Sequence, residues 1–538
     1  MIKQNNDKQK WWHGSSVYQI YPRSFYDSNG DGVGDLPGIT KKLDYLGGTP
    51  ESLGVNAIWI SPFYRSPMAD FGYDVSDHKD VDPVFGTLSD FDELIREAHA
   101  RGLRVLIDFV PNHTSNLHEW FVRSSRIKDS KYRDWYVWRN GSAEGGPPNN
   151  WLSIFGGSAW EKDVQTGQYY LHTFLKEQPD LNWDNPEVRE AMKDVARFWL
   201  DKGVDGLRVD AVSWLSKDTK LRDDPLNPYY HESEDPYFKV LHHFSTQGPK
   251  LFDYLNELVD VLAEYGNRFM VTEAYPERPN EINHYLNFYS KLRHNICAPI
   301  NFECITFPWD AHTYRGFIDH YQETLHPKQP PIYNMGNHDK PRLASRIGPA
   351  SAKTAAMLLL SLPGIPFIYY GDELGMHDVG VPKNLLKDHV AQMGGISRDS
   401  ARTPMQWSAQ TNAGFSKGKP WLPLAKDFEK ANYEVESSDQ SSFFNLYKQL
   451  LELRNRSDVL KYGSYRSLNL PSHIYGFVRE SNMHRLSVIL NFSGSKVSVV
   501  SKAIKGRVIL STYQDAGHPI ALGGVVLRPH EGVIIEAV

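Results

Sequence analysis

The chain has 538 residues, enough for roughly three to four domains of ordinary size or for one large barrel with attachments. Its 59 Lys and Arg against 65 Asp and Glu leave a net charge of −6 with no block of like charge, which excludes a protein that holds nucleic acid by neutralising phosphates. A hydrophobic share of 40% and an aromatic share of 13% exclude a disordered chain, and 14 Trp with 29 Tyr suit a pocket that stacks flat polar ligands such as sugar rings.

Met1 to Lys10 is polar and runs directly into Trp11-Trp12, without the apolar core of a signal peptide, so a cytoplasmic location is expected. Short apolar runs ending in polar residues, each followed by a helical stretch, mark parallel strands buried on both faces. Eight occur: V-Y-Q-I-Y-P from Val17, A-I-W-I-S-P from Ala57, R-V-L-I-D-F-V-P-N-H from Arg104, G-L-R-V-D-A-V from Gly206, R-F-M-V-T-E-A-Y from Arg268, I-C-A-P-I-N-F from Ile296, I-Y-N-M-G-N-H-D from Ile332 and G-I-P-F-I-Y-Y-G-D-E from Gly364. That number predicts an α/β fold of the (β/α)8 TIM-barrel type, with residues 1–113 and 183–456 forming the barrel.

Between the strands, Leu88 to Gly102 reads as a helix opening on a Ser/Asp cap, and Asn185 to Gly203 as one opening on Asn-Pro; each ends on Gly. Residues 114–182 break the rhythm with N-G-S-A-E-G-G-P-P-N-N-W and are read as a small domain inserted after strand three. The apolar stretch from Thr354 to Gly371 matches a membrane span in length, but Pro363, Gly364 and Pro366 interrupt it and predict a buried helix followed by a buried strand. Asp372 to about Pro423 is a second long loop region, and the short alternating runs of 457–538 predict a C-terminal antiparallel β-domain. Cys297 and Cys304, too few for a disulfide framework and without zinc spacing, are read as buried thiols in a reducing compartment.

Three carboxylates stand at ends of predicted strands: Asp210 after G-L-R-V, Glu273 after M-V-T and Asp339 after N-M-G-N-H. In a barrel all three project into one mouth although they are far apart in sequence. Arg208 lies two residues before Asp210, on the same strand face, where its charge is expected to lower the Asp210 pKa and keep a nucleophile ionised. Glu273, if less solvated and close to the other carboxylates, is expected to stay protonated as an acid.

These motifs resemble the alpha-amylase family of glycoside hydrolases, and within it the alpha-glucosidases, both insect-type maltases and bacterial enzymes. D-F-V-P-N-H (Asp108 to His113), Q-P-D-L-N (Gln178 to Asn182), G-L-R-V-D-A-V, T-E-A-Y (Thr272 to Tyr275) and G-N-H-D (Gly336 to Asp339) carry the likeness, with F-G-Y-D-V from Phe71 and S-R-D-S-A-R-T-P-M-Q-W from Ser397. The resemblance implies that Asp210 is the nucleophile, Glu273 the general acid/base and Asp339 the carboxylate that holds substrate hydroxyls. It implies that His113 and His338 bond the sugar in the −1 subsite, that Arg208 flanks the nucleophile and that Tyr73 stacks under the ring. Asp70 and Arg402 match the pair that closes this pocket around a non-reducing end, with Arg398 as the alternative arginine.

D-S-N-G-D-G-V-G-D, from Asp27 to Asp35, sets oxygen ligands at alternate positions, like the first part of a calcium loop, but has Gly38 where an EF-hand has Glu. In related alpha-glucosidases this loop binds a divalent ion, which makes Asp27, Asn29, Asp31, the Val33 carbonyl and Asp35 candidate ligands of a structural Ca2+ or Mg2+. No organic cofactor, nucleic acid or membrane is expected as a partner.

The activity implied is retaining, exo-acting hydrolysis of terminal alpha-glucosidic bonds in short oligosaccharides, with sucrose as a further substrate and transglucosylation as a side reaction. A sucrose isomerase or dedicated transglucosylase on the same fold is the rival. A non-catalytic relative, such as the amylase-like partner proteins of membrane transporters, is disfavoured because the three carboxylates are all present. Ala211, after the nucleophile, is expected to line the border between the −1 and +1 subsites, and in the relatives Ala at this position goes with alpha-1,4 bonds and Val with alpha-1,6.

Overall fold

The computed structural model describes residues 10–276, 281–326, 329–392, 397–501, 504–515 and 524–537. The eight predicted runs all fold as parallel strands: β1 (Val17–Ile20), β2 (Ala57–Ile60), β3 (Arg104–Phe109), β4 (Gly206–Val209), β5 (Phe269–Thr272), β6 (Cys297–Asn301), β7 (Ile332–Asn334) and β8 (Ile365–Tyr369). Neighbours pair in sequence order, and Val17 opposite both Ala57 and Phe367 closes the barrel between β2 and β8. Side chains in these strands are buried on both faces, which is why the runs are apolar throughout rather than alternating.

Helices return the chain from each strand end to the next strand start. The helix Leu88–Ala100 begins one residue before the expected Ser/Asp cap. Thr87 is the capping residue: its hydroxyl accepts from Asp90 N–H while Asp90 accepts from Thr87 N–H, because Thr87 is extended and Ser89 already lies in the first turn. Asn185 caps Pro186–Asp201 as expected. The uncharged stretch becomes the buried helix Pro349–Ser361 and then β8. Among the described residues no helix is long and apolar enough to cross a membrane.

The insertion after β3 holds a helix, Glu119–Arg126, and a small sheet of Trp138–Arg139, Tyr169–Leu171 and Trp160–Lys162 over its own cluster of Trp151, Ala159, Trp160 and Leu171. At the C-terminus a five-stranded antiparallel sheet runs in the order Ser464–Ser467, Ile474–Glu480, Arg485–Asn491, Gly532–Glu536, Arg507–Ser511. Tyr475, Phe477, Val488 and Leu490 turn one face of it toward the barrel core, and Val478, Ile489 and Val533 build a separate cluster on the other. Two buried arginines fasten this side. Arg454 donates to the carbonyls of Leu360, Leu362 and Gly364, and Arg479 to that of Ser361, satisfying acceptors at the end of the helix Pro349–Ser361.

Candidate active site

One wall of the barrel mouth is built on strands. The ladder continues past β4 and β5, with Asp210 N–H donating to Phe109 O (2.8 Å) and Glu273 N–H to Val209 O (2.9 Å), so both carboxylates leave the sheet at fixed positions. Arg208, buried on β4, binds three carboxylates at once. Its Nη1 meets Asp108 Oδ1 at 2.6 Å and Asp210 Oδ1 at 2.5 Å, and its Nη2 meets Glu273 Oε1 at 2.6 Å. Trp59 Nε1 donates to the other oxygen of Asp108 at 3.0 Å.

The expected depression of Asp210 is not what this wall produces. Burial first, and then the neighbouring Glu273 carboxylate, push Asp210 well above the usual carboxylate range, and Arg208 only opposes them. One guanidinium shared among three carboxylates leaves excess negative charge around Asp210, which adds to the effect of burial. Burial likewise pushes Asp108 up to about 6, against the pull of Arg208.

The facing wall is built on loops. Burial works to raise Asp339, but His338, Arg402 and Arg398 outweigh it and hold the carboxyl well below its ordinary value. Arg402 Nη2 donates to Asp339 Oδ1 at 3.0 Å and its Nε to His338 O at 2.7 Å. Between the walls a chain of hydrogen bonds fixes the tautomer of His338: Gln19 Nε2 donates to its Nδ1 at 2.9 Å, its Nε2 faces the Tyr73 hydroxyl at 2.8 Å, and that hydroxyl donates to Asp108 Oδ2 at 3.2 Å. His113 Nε2 donates to Tyr73 O at 3.2 Å. Burial lowers His113 to about 4 and His338 to about 3, so both serve as neutral imidazoles.

Asp70 lies on the same rim, and its partner is Arg398 rather than Arg402: Arg398 Nη2 donates to Asp70 Oδ1 at 2.7 Å. Arg402, four residues on, is 1% exposed and faces Asp339 from below. Gln178 Nε2, from the Q-P-D-L-N motif, reaches the other Asp70 oxygen at 3.2 Å. Ala211 is fully buried with φ of +51°, a left-handed turn that aims its N–H at Glu273 Oε2 (2.8 Å).

Sequence reasoning passed over several neighbours. Phe155 and Phe174 of the insertion stand over Arg398 (5.3 Å) and His113 (4.9 Å), and Phe302 stacks at 4.1 Å on Tyr275 of the T-E-A-Y motif. Asp388, fully buried behind Arg398, belongs to no motif, and nothing local marks it.

The Asp27 loop follows β1. Asp27 accepts from the N–H groups of Asn29, Gly30 and Gly32 and from Ser416 Oγ. Asp35 caps the helix Leu36–Lys41 through Gly38 N–H (2.6 Å) and takes Ser28 N–H and Oγ on its second oxygen. Asn29 and Asp31 are exposed, and together with Asp27 and the Val33 carbonyl they present an all-oxygen donor set suited to a hard cation. Among the described residues no three His, Cys, Asp or Glu side chains form a metal cluster.

Residues 19–463, which span the barrel and carry every one of these active-site groups, match the family model for the alpha amylase catalytic domain. The chain belongs to the alpha-amylase family. It is a glycoside hydrolase with relatives along its whole length. An oligo-1,6-glucosidase of Parageobacillus thermoglucosidasius is 40% identical over 98% of this chain and 99% of that protein. Maltase 1 of Drosophila virilis is 39% identical over 99% and 87%. Among solved structures, the alpha-glucosyl transfer enzyme XgtA shares 38% identity with a TM-score of 0.92 over 99% of this chain and 100% of that one. An inactive double mutant of MutB in complex with isomaltulose shares 36% identity with a TM-score of 0.87 over 98% and 99%.

Proposed function

We propose that this family member is a retaining, exo-acting alpha-glucosidase. The observation that carries the reading is the convergence of Asp210 and Glu273 on one arginine, opposite an Asp339 held ionised across the mouth. Glu273 protonates the glycosidic oxygen, Asp210 attacks the anomeric carbon to form a covalent glucosyl-enzyme, and Glu273 then activates the water that releases glucose with its anomeric configuration retained. In this reading the proton resides on Glu273 when the bond breaks. Asp70 and Arg398 close the pocket beyond the terminal ring and restrict it to chain ends. Proton NMR of the glucose released from maltose, sucrose and isomaltose tests the reading: alpha-glucose appearing first supports it, and beta-glucose first, or no glucose, overturns it.

Maltose-type alpha-1,4 bonds are proposed as the favoured linkage, on the small residue beside the nucleophile. Relatives named oligo-1,6-glucosidase and maltase match the chain at nearly equal identity and favour neither linkage. Ala211→Val should move the maltose to isomaltose ratio toward isomaltose by about 1–3 kcal/mol in activation free energy. Isomaltose cleaved faster than maltose by the wild type would reject the assignment. Likeness to XgtA and MutB favours transglucosylation as a second reading, and oligosaccharide products dominating at high sugar concentration would make it the principal one.

The Asp27 loop is proposed to hold a structural divalent cation, Ca2+ or Mg2+, through Asp27, Asn29, Asp31, the Val33 carbonyl and Asp35. A chelator should then lower the thermal midpoint while sparing turnover at moderate temperature. Two buried, unpaired cysteines suit the cytoplasmic location that completes the proposal.

A further inference from the structure

Arg398 cannot hold its place by its contacts with the pocket alone. Its guanidinium reaches Asp70 through Nη2 at 2.7 Å and Asp339 only at 3.4 Å. The rest of its grip comes from behind. Asp388 accepts Arg398 Nη2 on Oδ1 at 2.9 Å, and Arg398 Nε (3.0 Å) and backbone N–H (2.8 Å) on Oδ2. This is a two-pronged carboxylate–guanidinium pair, the arrangement that fixes orientation as well as charge. Asp388 is fully buried, whereas Asp70 and Asp339 face the mouth.

Asp388 is itself held by the residue that follows the arginine. Asp399 Oδ2 accepts the backbone N–H groups of Lys387 (2.7 Å) and Asp388 (3.0 Å), and Asp399 is likewise fully buried. The two aspartates thus clasp each other's segments in opposite directions, side chain to backbone, and close the long loop after β8 on itself. On the outer side the Phe155 ring covers the guanidinium at 5.3 Å.

We propose that Asp388 is a positioning residue that presents Arg398 to Asp70 and so sets the affinity of the pocket for the terminal sugar. Asp388 touches neither Asp210 nor Glu273 in any contact of the structure and stands behind the arginine. Its removal therefore releases the arginine without disturbing the strand-built wall. The proposal rests on the alpha-glucosidase reading above for its choice of substrate, but the contact network is independent of that choice.

The test is steady-state kinetics on maltose for Asp388→Ala, Asp388→Asn and Asp388→Glu. Asp388→Ala should raise KM by about tenfold while kcat changes less than about threefold, because a charge-assisted contact is lost in binding rather than at the reacting bond. Asp388→Asn, which keeps an acceptor of the same shape, should recover part of that loss. In an Arg398→Ala background the Asp388→Ala change should move KM less than about twofold, since a positioning residue has nothing left to position. Equal KM increments in both backgrounds, or kcat falling in step with thermal stability, would overturn the proposal. Crystallography of Asp388→Ala gives a readout apart from activity: Arg398 withdrawn from Asp70 supports the role, and an unmoved guanidinium overturns it. A wild-type enzyme that cleaves no alpha-glucoside would instead overturn the functional reading and leave this structural arm to decide.

Discussion

Two halves of the same mouth are made in different ways. Around Arg208, the groups Asp108, Asp210 and Glu273 sit at the ends of three adjacent strands whose ladder fixes them, and all three are buried. Around Asp339, the cations Arg398 and Arg402 come from the loop after β8, and the Asp339 side chain keeps 24% of its surface exposed. On the proposed function, bond-making atoms are held by the strand-built part of the fold, and substrate hydroxyls are met by the loop-built part.

The largest expected effect lies on the strand side. Asp210→Asn keeps the shape but removes the nucleophilic charge, and kcat on maltose should fall by about four orders of magnitude with an unchanged thermal midpoint. Retained hydrolysis would place the nucleophile elsewhere and break the contrast.

Stability should divide the same way. Arg208→Met leaves Asp108 buried without its cation and should cost about 3–5 kcal/mol in denaturant unfolding. Arg402→Met leaves Asp339 in reach of water and should cost less than about 2 kcal/mol. Equal losses would show that the loop wall is as dry as the strand wall.

Acid should loosen the insertion while sparing the strands. His78 and His118 meet at 3.4 Å where the insertion docks, and burial lowers His78 to about 4. A folded pKa below the unfolded value of about 6.5 gives stability that is fully present above 6.5 and is lost as pH falls toward 4, up to roughly 3 kcal/mol. His78→Gln should remove that increment from the pH dependence of unfolding. Superimposable wild-type and variant curves between pH 6.5 and 4 would refute it.

Much of the strand wall was legible beforehand. Eight apolar runs gave the barrel, and the two-residue step from Arg208 to Asp210 gave their shared face, because both follow from the period of a strand. The ionisation of Asp210 was misread because Arg208 alone suggests a lowered pKa, whereas burial first, and then Glu273 and Asp108, reverse it.

The sequence by itself determined the fold, the three carboxylates and the strand from which each emerges, since these depend on local periodicity and on residues adjacent in the chain. Only the tertiary structure decided which arginine meets Asp70, 328 positions away from Arg398. Arg398 and Arg402 flank one short turn, Asp399–Ala401, and are equivalent by spacing. The path of the loop, pinned by Asp388 and Asp399, sends one guanidinium to the rim and the other beneath Asp339. A buried carboxylate in a loop leaves no periodic trace in the sequence, because its partner is chosen by where the chain folds back.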